Sequence, residues 1–211
     1  MGEIIYRNIR KSDYEDIKNL INTSFFIEEY VENDTVLDLE LECELYEALV
    51  EQSYTCIAEK EGEVIGFIMG QAEEDYSIID HIGYYYKYYI NLIKWKVCAW
   101  LKKDKLEDSK KLNKTYDYFL KNSKENYDGV LSLFIVSEKA QGYGIGTELM
   151  KRFQNYLKEQ DVEKFYLFTD SFCNYGYYDY LGFKRKNKKL IKYLRNNKKK
   201  DLNVYLYSYE M

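Results

Sequence analysis

The stretch from Gly129 to Gln160 constrains the fold more than any other part of the chain. Gly129–Val136 (GVLSLFIV) is apolar at almost every position, the pattern of a strand buried on both faces inside a sheet. Gln141-Gly142-Tyr143-Gly144-Ile145-Gly146 follows, and from about Gly144 to Gln160 Leu149, Phe153, Tyr156 and Leu157 recur at helical spacing. A buried strand, a glycine turn and an amphipathic helix, with a further strand at Lys164–Thr169, predict an α+β fold built on a mixed sheet. Glycines at a strand-to-helix turn let backbone come close to a ligand, and the free N–H groups of the first helical turn face it. That is an anion site suited to a pyrophosphate, and Thr147 adds a hydroxyl donor. By spacing alone a simple tight turn accounts for the glycines equally well. A dinucleotide fold fits poorly, since no repeated β-α-β series with an acidic ribose partner follows.

The rest of the chain supplies the remaining elements. A strand is expected over Glu3–Arg10. Ser12 caps a helix from Asp13 to about Ser24, with Glu15 completing a capping box. Leu37, Leu41, Leu45 and Leu49 mark a second helix. Tyr54–Glu59 and Val64–Gln71 read as a hairpin closed by Lys60-Glu61-Gly62-Glu63. Residues 74–127 break this rhythm and are expected to form a helical, aromatic-rich insertion, with Leu106, Leu112, Tyr116, Phe119 and Leu120 at roughly helical spacing. A short helix over Asn174–Leu181, capped by Gly182, and strands near Phe183–Tyr193 and Asn203–Glu210 close the chain. With 211 residues, the chain is expected to be a single domain, 1–211, holding that insertion.

Two segments together resemble a known family. Gln141-x-x-Gly144-x-Gly146 resembles the pyrophosphate-gripping motif of the GCN5-related N-acetyltransferases (GNAT), and Asn174-Tyr175-Gly176-Tyr177-Tyr178-Asp179-Tyr180-Leu181-Gly182-Phe183 resembles that family's second signature. Leu133-Phe134-Ile135-Val136 looks like its fourth strand. The element order also matches over roughly 3–73 and 128–211, with the insertion between the third and fourth strands as the departure. The resemblance implies a GNAT-like fold and an N-acetyltransferase, acetyl-CoA being the acyl donor. It implies contact of Phe134, Ile135 and Val136 with the pantetheine arm, the backbone groups of Ile135 and Val136 pairing with it as an added strand. One backbone N–H, at Ile135 or Val136, would polarise the thioester carbonyl. Gly142, Tyr143, Gly144, Ile145, Gly146 and Thr147 would hold the pyrophosphate, with Gln141 opening the loop and Asn174 facing the arm. Tyr178 would protonate the departing thiolate. Asp170 or Glu73 is nominated as base, against a loop-capping role for Asp170 and a solvated strand end for Glu73. A non-catalytic acyl-CoA-binding module is the alternative function.

Charge narrows the acceptor. The formal net charge is −5, which argues against nucleic acid as partner. Glu28 to Glu51 holds ten carboxylates and no Lys or Arg, so a small-molecule or peptide amine, cationic in character, is the expected acceptor, against the plainer reading of a solvated acidic helix face. Lys184–Lys200 holds ten basic residues and no acidic one and reads as a solvated β-loop. Ile78–Leu101 suits packing on the core or a lid over the acceptor, ahead of a homodimer contact and a membrane-surface helix. His81 is the lone histidine, and Cys43, Cys56, Cys98 and Cys173 form no C-x-x-C pair, so neither metal nor disulfide framework is expected. The first residues lack an apolar signal core, and a cytoplasmic protein is expected.

Overall fold

The computed structural model describes residues 3–29, 31–102, 107–195 and 198–211. Seven strands form one sheet: β1 (Ile4–Arg7), β2 (Tyr54–Lys60), β3 (Glu63–Ala72), β4 (Gly129–Val136), β5 (Lys164–Asp170), β6 (Lys184–Arg195) and β7 (Lys198–Glu210). Their spatial order is β1-β2-β3-β4-β5-β7-β6. Every neighbouring pair is antiparallel except β4 and β5. The helices are α1 (Tyr14–Phe25), α2 (Asp34–Val50), α3 (Ile78–Lys102), α4 (Glu107–Lys121), α5 (Ile145–Glu159) and α6 (Gly176–Tyr180). The α+β mixed sheet expected from the sequence is the one observed.

The sheet buries both faces. On one, α5 contributes Leu149, Phe153 and Leu157 to a cluster with Ile68, Leu131, Phe165, Leu167 and Tyr207. On the other, Ile17 and Ile21 of α1 and Leu41, Leu45 and Leu49 of α2 pack on Ile57, Phe67 and Ile135, so the four-residue leucine repeat marks the inner stripe of α2. Asn33 caps α2 by accepting the Val36 N–H at 3.3 Å. Between β3 and β4, α3 packs along α2 through Trp95 and Ala99. Phe119 of α4 covers Leu202, Val204 and Leu206. The Leu106 of the expected spacing lies outside the described residues. In the β2–β3 turn both Glu61 (φ 53°) and Gly62 (φ 86°) are left-handed, which is the geometry a tight hairpin demands.

Two local expectations are corrected. Ser12 does not cap α1: a short 3₁₀ turn, Lys11–Asp13, precedes the helix. There the Asp13 carboxylate accepts the Arg10 N–H at 2.7 Å and two Arg7 N–H groups at 2.7 and 2.8 Å. Glu15 pairs with Lys18 at 2.8 Å instead of closing a capping box. A guanidinium delivered by β1 therefore decides which carboxylate closes the turn. The second correction is the basic run, which forms the strands of a long hairpin rather than a loop. Ile191 and Tyr193 of the hairpin pack with Phe119 of α4, and Lys192 pairs across the hairpin with Asp201.

Candidate active site

The site begins with a defect in β4. Met69 pairs with Leu133 but Gly70 pairs with Leu131, so Ser132 is an extra residue, a β-bulge. Gly70 is required opposite it, because a Cβ there would lie 2.4 Å from the Phe153 ring and 2.5 Å from the Val130 carbonyl oxygen. The bulge reverses the facing of the strand. Leu131 belongs to the α5 side, whereas Leu133 and Ile135 pack toward α1 and α2, leaving Phe134 and Val136 on the α5 side.

At the same place β4 and β5 part. Their pairing covers Gly129↔Phe165, Val130↔Tyr166 and Leu131↔Leu167 and ends there. The far end of β4 is thus paired only with β3. The Ser137 N–H donates to the Ile65 carbonyl oxygen at 2.9 Å. With Gly66 opposite Val136 and Phe67 opposite Ile135, this fixes the alternation: Ile135 exchanges hydrogen bonds with Phe67, while Phe134 and Val136 turn their N–H and C=O toward the gap. The expectation for Ile135 is corrected accordingly. Its backbone groups are already used, and the open strand edge belongs to Phe134 and Val136.

The glycine turn closes one end of that gap. Gly142 (φ 83°) and Gly144 (φ 74°) are left-handed, and a Cβ built on either meets no atom within 4 Å. Gln141 through Gly144 are exposed. Lys60 stands over the Tyr143 ring at 5.6 Å, placing a cation beside the turn. Gly144 is the N-cap of α5, so the N–H groups of Ile145, Gly146 and Thr147 begin a helix without partners from the preceding turn. The conformation, the open space and the fifteen-residue helix behind it fit a diphosphate.

The second signature lies against this turn. A Cβ at Gly146 would sit 3.4 Å from the Phe134 ring, 3.5 Å from the Tyr177 hydroxyl and 3.6 Å from Val136 Cγ2. The Tyr177 hydroxyl is buried beside the Thr147 side chain and makes no hydrogen bond of good geometry among the described residues. Sequence reasoning missed Tyr177, since an aromatic residue beside the matched Tyr178 sends no separate signal. Tyr178 meets Tyr177 and Phe183 edge to face and Tyr207 at a tilt, and burial pushes its phenol well above the ordinary value, keeping the proton on. Asn174 accepts the Tyr177 N–H at 3.1 Å and opens α6.

Both nominated bases sit as the alternatives to that role had them. Oδ1 of Asp170 accepts the Phe172 N–H at 2.7 Å and the Cys173 N–H at 3.3 Å, so its carboxylate holds the turn after β5. Glu73 is exposed past the end of β3, where Ala72 pairs with Gly129, the end of β4 remote from Val136. The structure instead brings α2 to the bulge: the Ser132 hydroxyl donates to the Glu51 carbonyl oxygen at 2.8 Å. Glu44, Glu47 and Glu51 follow one another at helical spacing, and burial raises all three carboxyls, Glu51 to about 7 with the Glu47 charge adding to it. Glu51 is itself exposed, so solvent moderates its upward shift. Tyr88 of α3 donates to Glu47 at 3.3 Å. Glu51 also acts electrostatically on Tyr166 of β5 and on Tyr76. The parting of β4 and β5 therefore has a phosphate-type turn on one face and a carboxylate-bearing helix on the other.

This architecture is that of the GNAT acetyltransferases. Residues 120–193 match the family described as acetyltransferase (GNAT) domain. Among solved structures, an N-acetyltransferase from Staphylococcus aureus Mu50 is similar with a TM-score of 0.56 at 14% identity, covering 99% of both chains. Ard1 from Thermoplasma volcanium is similar with a TM-score of 0.52 at 18% identity, covering 99% of this chain and 97% of its own. A Desulfovibrio desulfuricans protein assigned to the GNAT family gives 0.52 at 11%, with 99% of both chains covered. No curated protein sequence matches the chain. The GNAT resemblance read from two short motifs is thus borne out, and the fold with the family match supports an acetyltransferase.

Proposed function

We propose that the chain is an N-acetyltransferase, moving an acetyl group from acetyl-CoA to a primary amine of cationic character by direct attack in a ternary complex, with the cytoplasm as its setting. The single observation that supports this most is the two-faced gap: an anion-binding turn on one side, raised carboxylates on the other, and an open strand edge between. We read residues 74–127 as an insertion in one domain that helps wall the carboxylate face through Tyr88 and Asn91, the latter donating to Glu42 at 3.3 Å.

The N–H groups from Gly142 to Thr147 hold the diphosphate, with Lys60 adding charge. Gln141 opens that loop, and Phe134 and Val136 pair with the pantetheine arm, Asn174 lying alongside. Glu47 and Glu44, held toward neutrality by burial, ionise as the acceptor's positive charge arrives and hold its ammonium form. Glu51, held near neutrality, accepts the proton that frees the amine. The amine nitrogen bonds to the thioester carbon, a free N–H of the gap stabilises the oxyanion, and the carbon–sulfur bond breaks. Tyr178, which burial keeps protonated, gives its proton to the departing thiolate and regains one as the acylated nitrogen sheds its second proton.

The test is CoA release over an amine panel with wild type, Tyr178→Phe and Glu51→Gln. Tyr178→Phe is expected to lower kcat about a hundredfold with acetyl-CoA affinity unchanged. Glu51→Gln is expected to remove the acidic limb near pH 7 from the profile of kcat/KM. Tight acetyl-CoA binding without turnover on any amine would replace this reading with that of a non-catalytic acyl-CoA-binding module.

A further inference from the structure

α3 has two apolar stripes and only one of them is used. His81, Asn91, Trp95 and Ala99 are buried on the inner side, against α2. Ile78, Ile79, Ile82, Tyr86, Tyr89, Ile93, Val97, Trp100 and Leu101 are each more than half exposed on the opposite side, from 52% at Val97 to 81% at Ile79. Among the described residues nothing packs over them. Their three- and four-residue steps make a continuous seam along a 25-residue helix, as in helices that pack lengthwise. A monomer rarely leaves so long an apolar stripe in water.

The seam is a palindrome about the midpoint between Tyr89 and Ile90. Ile78 and Leu101 are equidistant from that point, as are Ile79 and Trp100, Ile82 and Val97, and Tyr86 and Ile93. An antiparallel copy of the helix related by a twofold axis therefore sets an apolar residue opposite each one. That self-matching is what a symmetric interface between identical chains requires. Nine side chains contributing on the order of 100 Å² each give roughly 900 Å² per chain, about what a stable interface needs. Lys87 and Lys94 fall at one margin, where long side chains keep their charge in water. A lipid surface fits less well, because α2 beside this helix holds acidic residues and no basic one, and the whole chain is at −5.

We infer that the outer face of α3 is a dimerisation surface, on which a second copy of this chain packs its own α3 antiparallel about a twofold axis between Tyr89 and Ile90. The pairing stands apart from the reaction and stays in force if the chain has no transferase activity.

Sedimentation equilibrium of the full chain is expected to give twice 25.5 kDa at micromolar concentration. Tyr86→Glu alone and Ile93→Lys alone place like charges symmetrically in the seam. Each is expected to weaken association at least about thirtyfold with an unchanged circular dichroism spectrum, since both side chains face water in the separate chain. Combining Tyr86→Glu and Ile93→Lys in one chain sets the introduced carboxylate of each copy against the introduced ammonium of the other and is expected to restore the dimer. A wild-type chain that stays monomeric, with or without flotation on phosphatidylcholine–phosphatidylserine vesicles, overturns the proposal. So does a dimer indifferent to both single substitutions, or one the double substitution fails to restore.

Discussion

At Gly144 the sequence reading and the structure give different reasons for the same residue. The sequence reading is that glycine lets the backbone come close to a ligand; the fold adds that no described protein atom lies within 4 Å of a Cβ there and that φ is +74°. A β-branched side chain resists that conformation by about 1–2 kcal/mol or more. Gly144→Val is expected to shift the turn toward φ < 0, swing the α5 N–H groups off line and weaken acetyl-CoA binding about tenfold or more in titration calorimetry. Gly62 provides the control, with φ +86° and open space in the β2–β3 turn. Gly62→Val imposes similar strain and is expected to cost stability while leaving acetyl-CoA affinity alone. Equal affinities for wild type and Gly144→Val would remove the turn from the binding site.

At the scale of elements, strands and helices were legible because each stands on local periodicity, whereas junctions were set by residues far apart in sequence. The ion pair from Arg7 to Asp13 joins β1 to the start of α1, and Arg7 also meets Glu59 of β2 at 2.6 Å. No spacing rule links those three positions, so Ser12 looked like the better cap. The bulge was hidden for the same reason: Ser132 reads as one polar residue in an apolar strand, and only the fit of Gly70 against Phe153 marks it. That hidden residue decided that Phe134 and Val136, not Ile135, face the gap. Glu51 was visible only as one acid among ten, since its bond to Ser132 spans 81 positions. The Arg7 hydrogen bonds hold the Asp13 carboxyl below its ordinary range. Its contribution is therefore present above the unfolded carboxylate value and lost as pH falls through the lower folded one. Asp13→Asn should cost about 2 kcal/mol at neutral pH by taking one of two carboxylates from a largely buried guanidinium, which keeps Glu59, read as a lower urea midpoint with unchanged slope. The difference between the two proteins should shrink in strong acid, and a constant difference down to that range would count against the pair.

For the whole molecule, the α2 carboxylates oppose the rest of the fold's charge pairs, and the two groups act in separate pH windows. Asp13, Glu125 and Glu210 are lowered by partners, so their effect on stability is confined to pH below the ordinary carboxylate range. Glu44, Glu47 and Glu51 are raised by burial, Glu51 from 4.5 to about 7. Between those two values the folded chain binds more protons than the unfolded one, and stability must fall as pH rises. Solvent reaches Glu51, so the expected loss is modest: a melting temperature lower by a few degrees at pH 8 than at pH 5. Glu51→Gln should flatten part of that slope. A bound polyamine supplies the missing positive charge, so spermidine should raise the melting temperature more at pH 8 than at pH 5 and have a smaller effect on Glu51→Gln, which keeps Glu44 and Glu47. Stability that climbs through this window, or spermidine that acts equally on both proteins, would mean that these carboxylates are solvated like any surface acid and do not form the acceptor's wall.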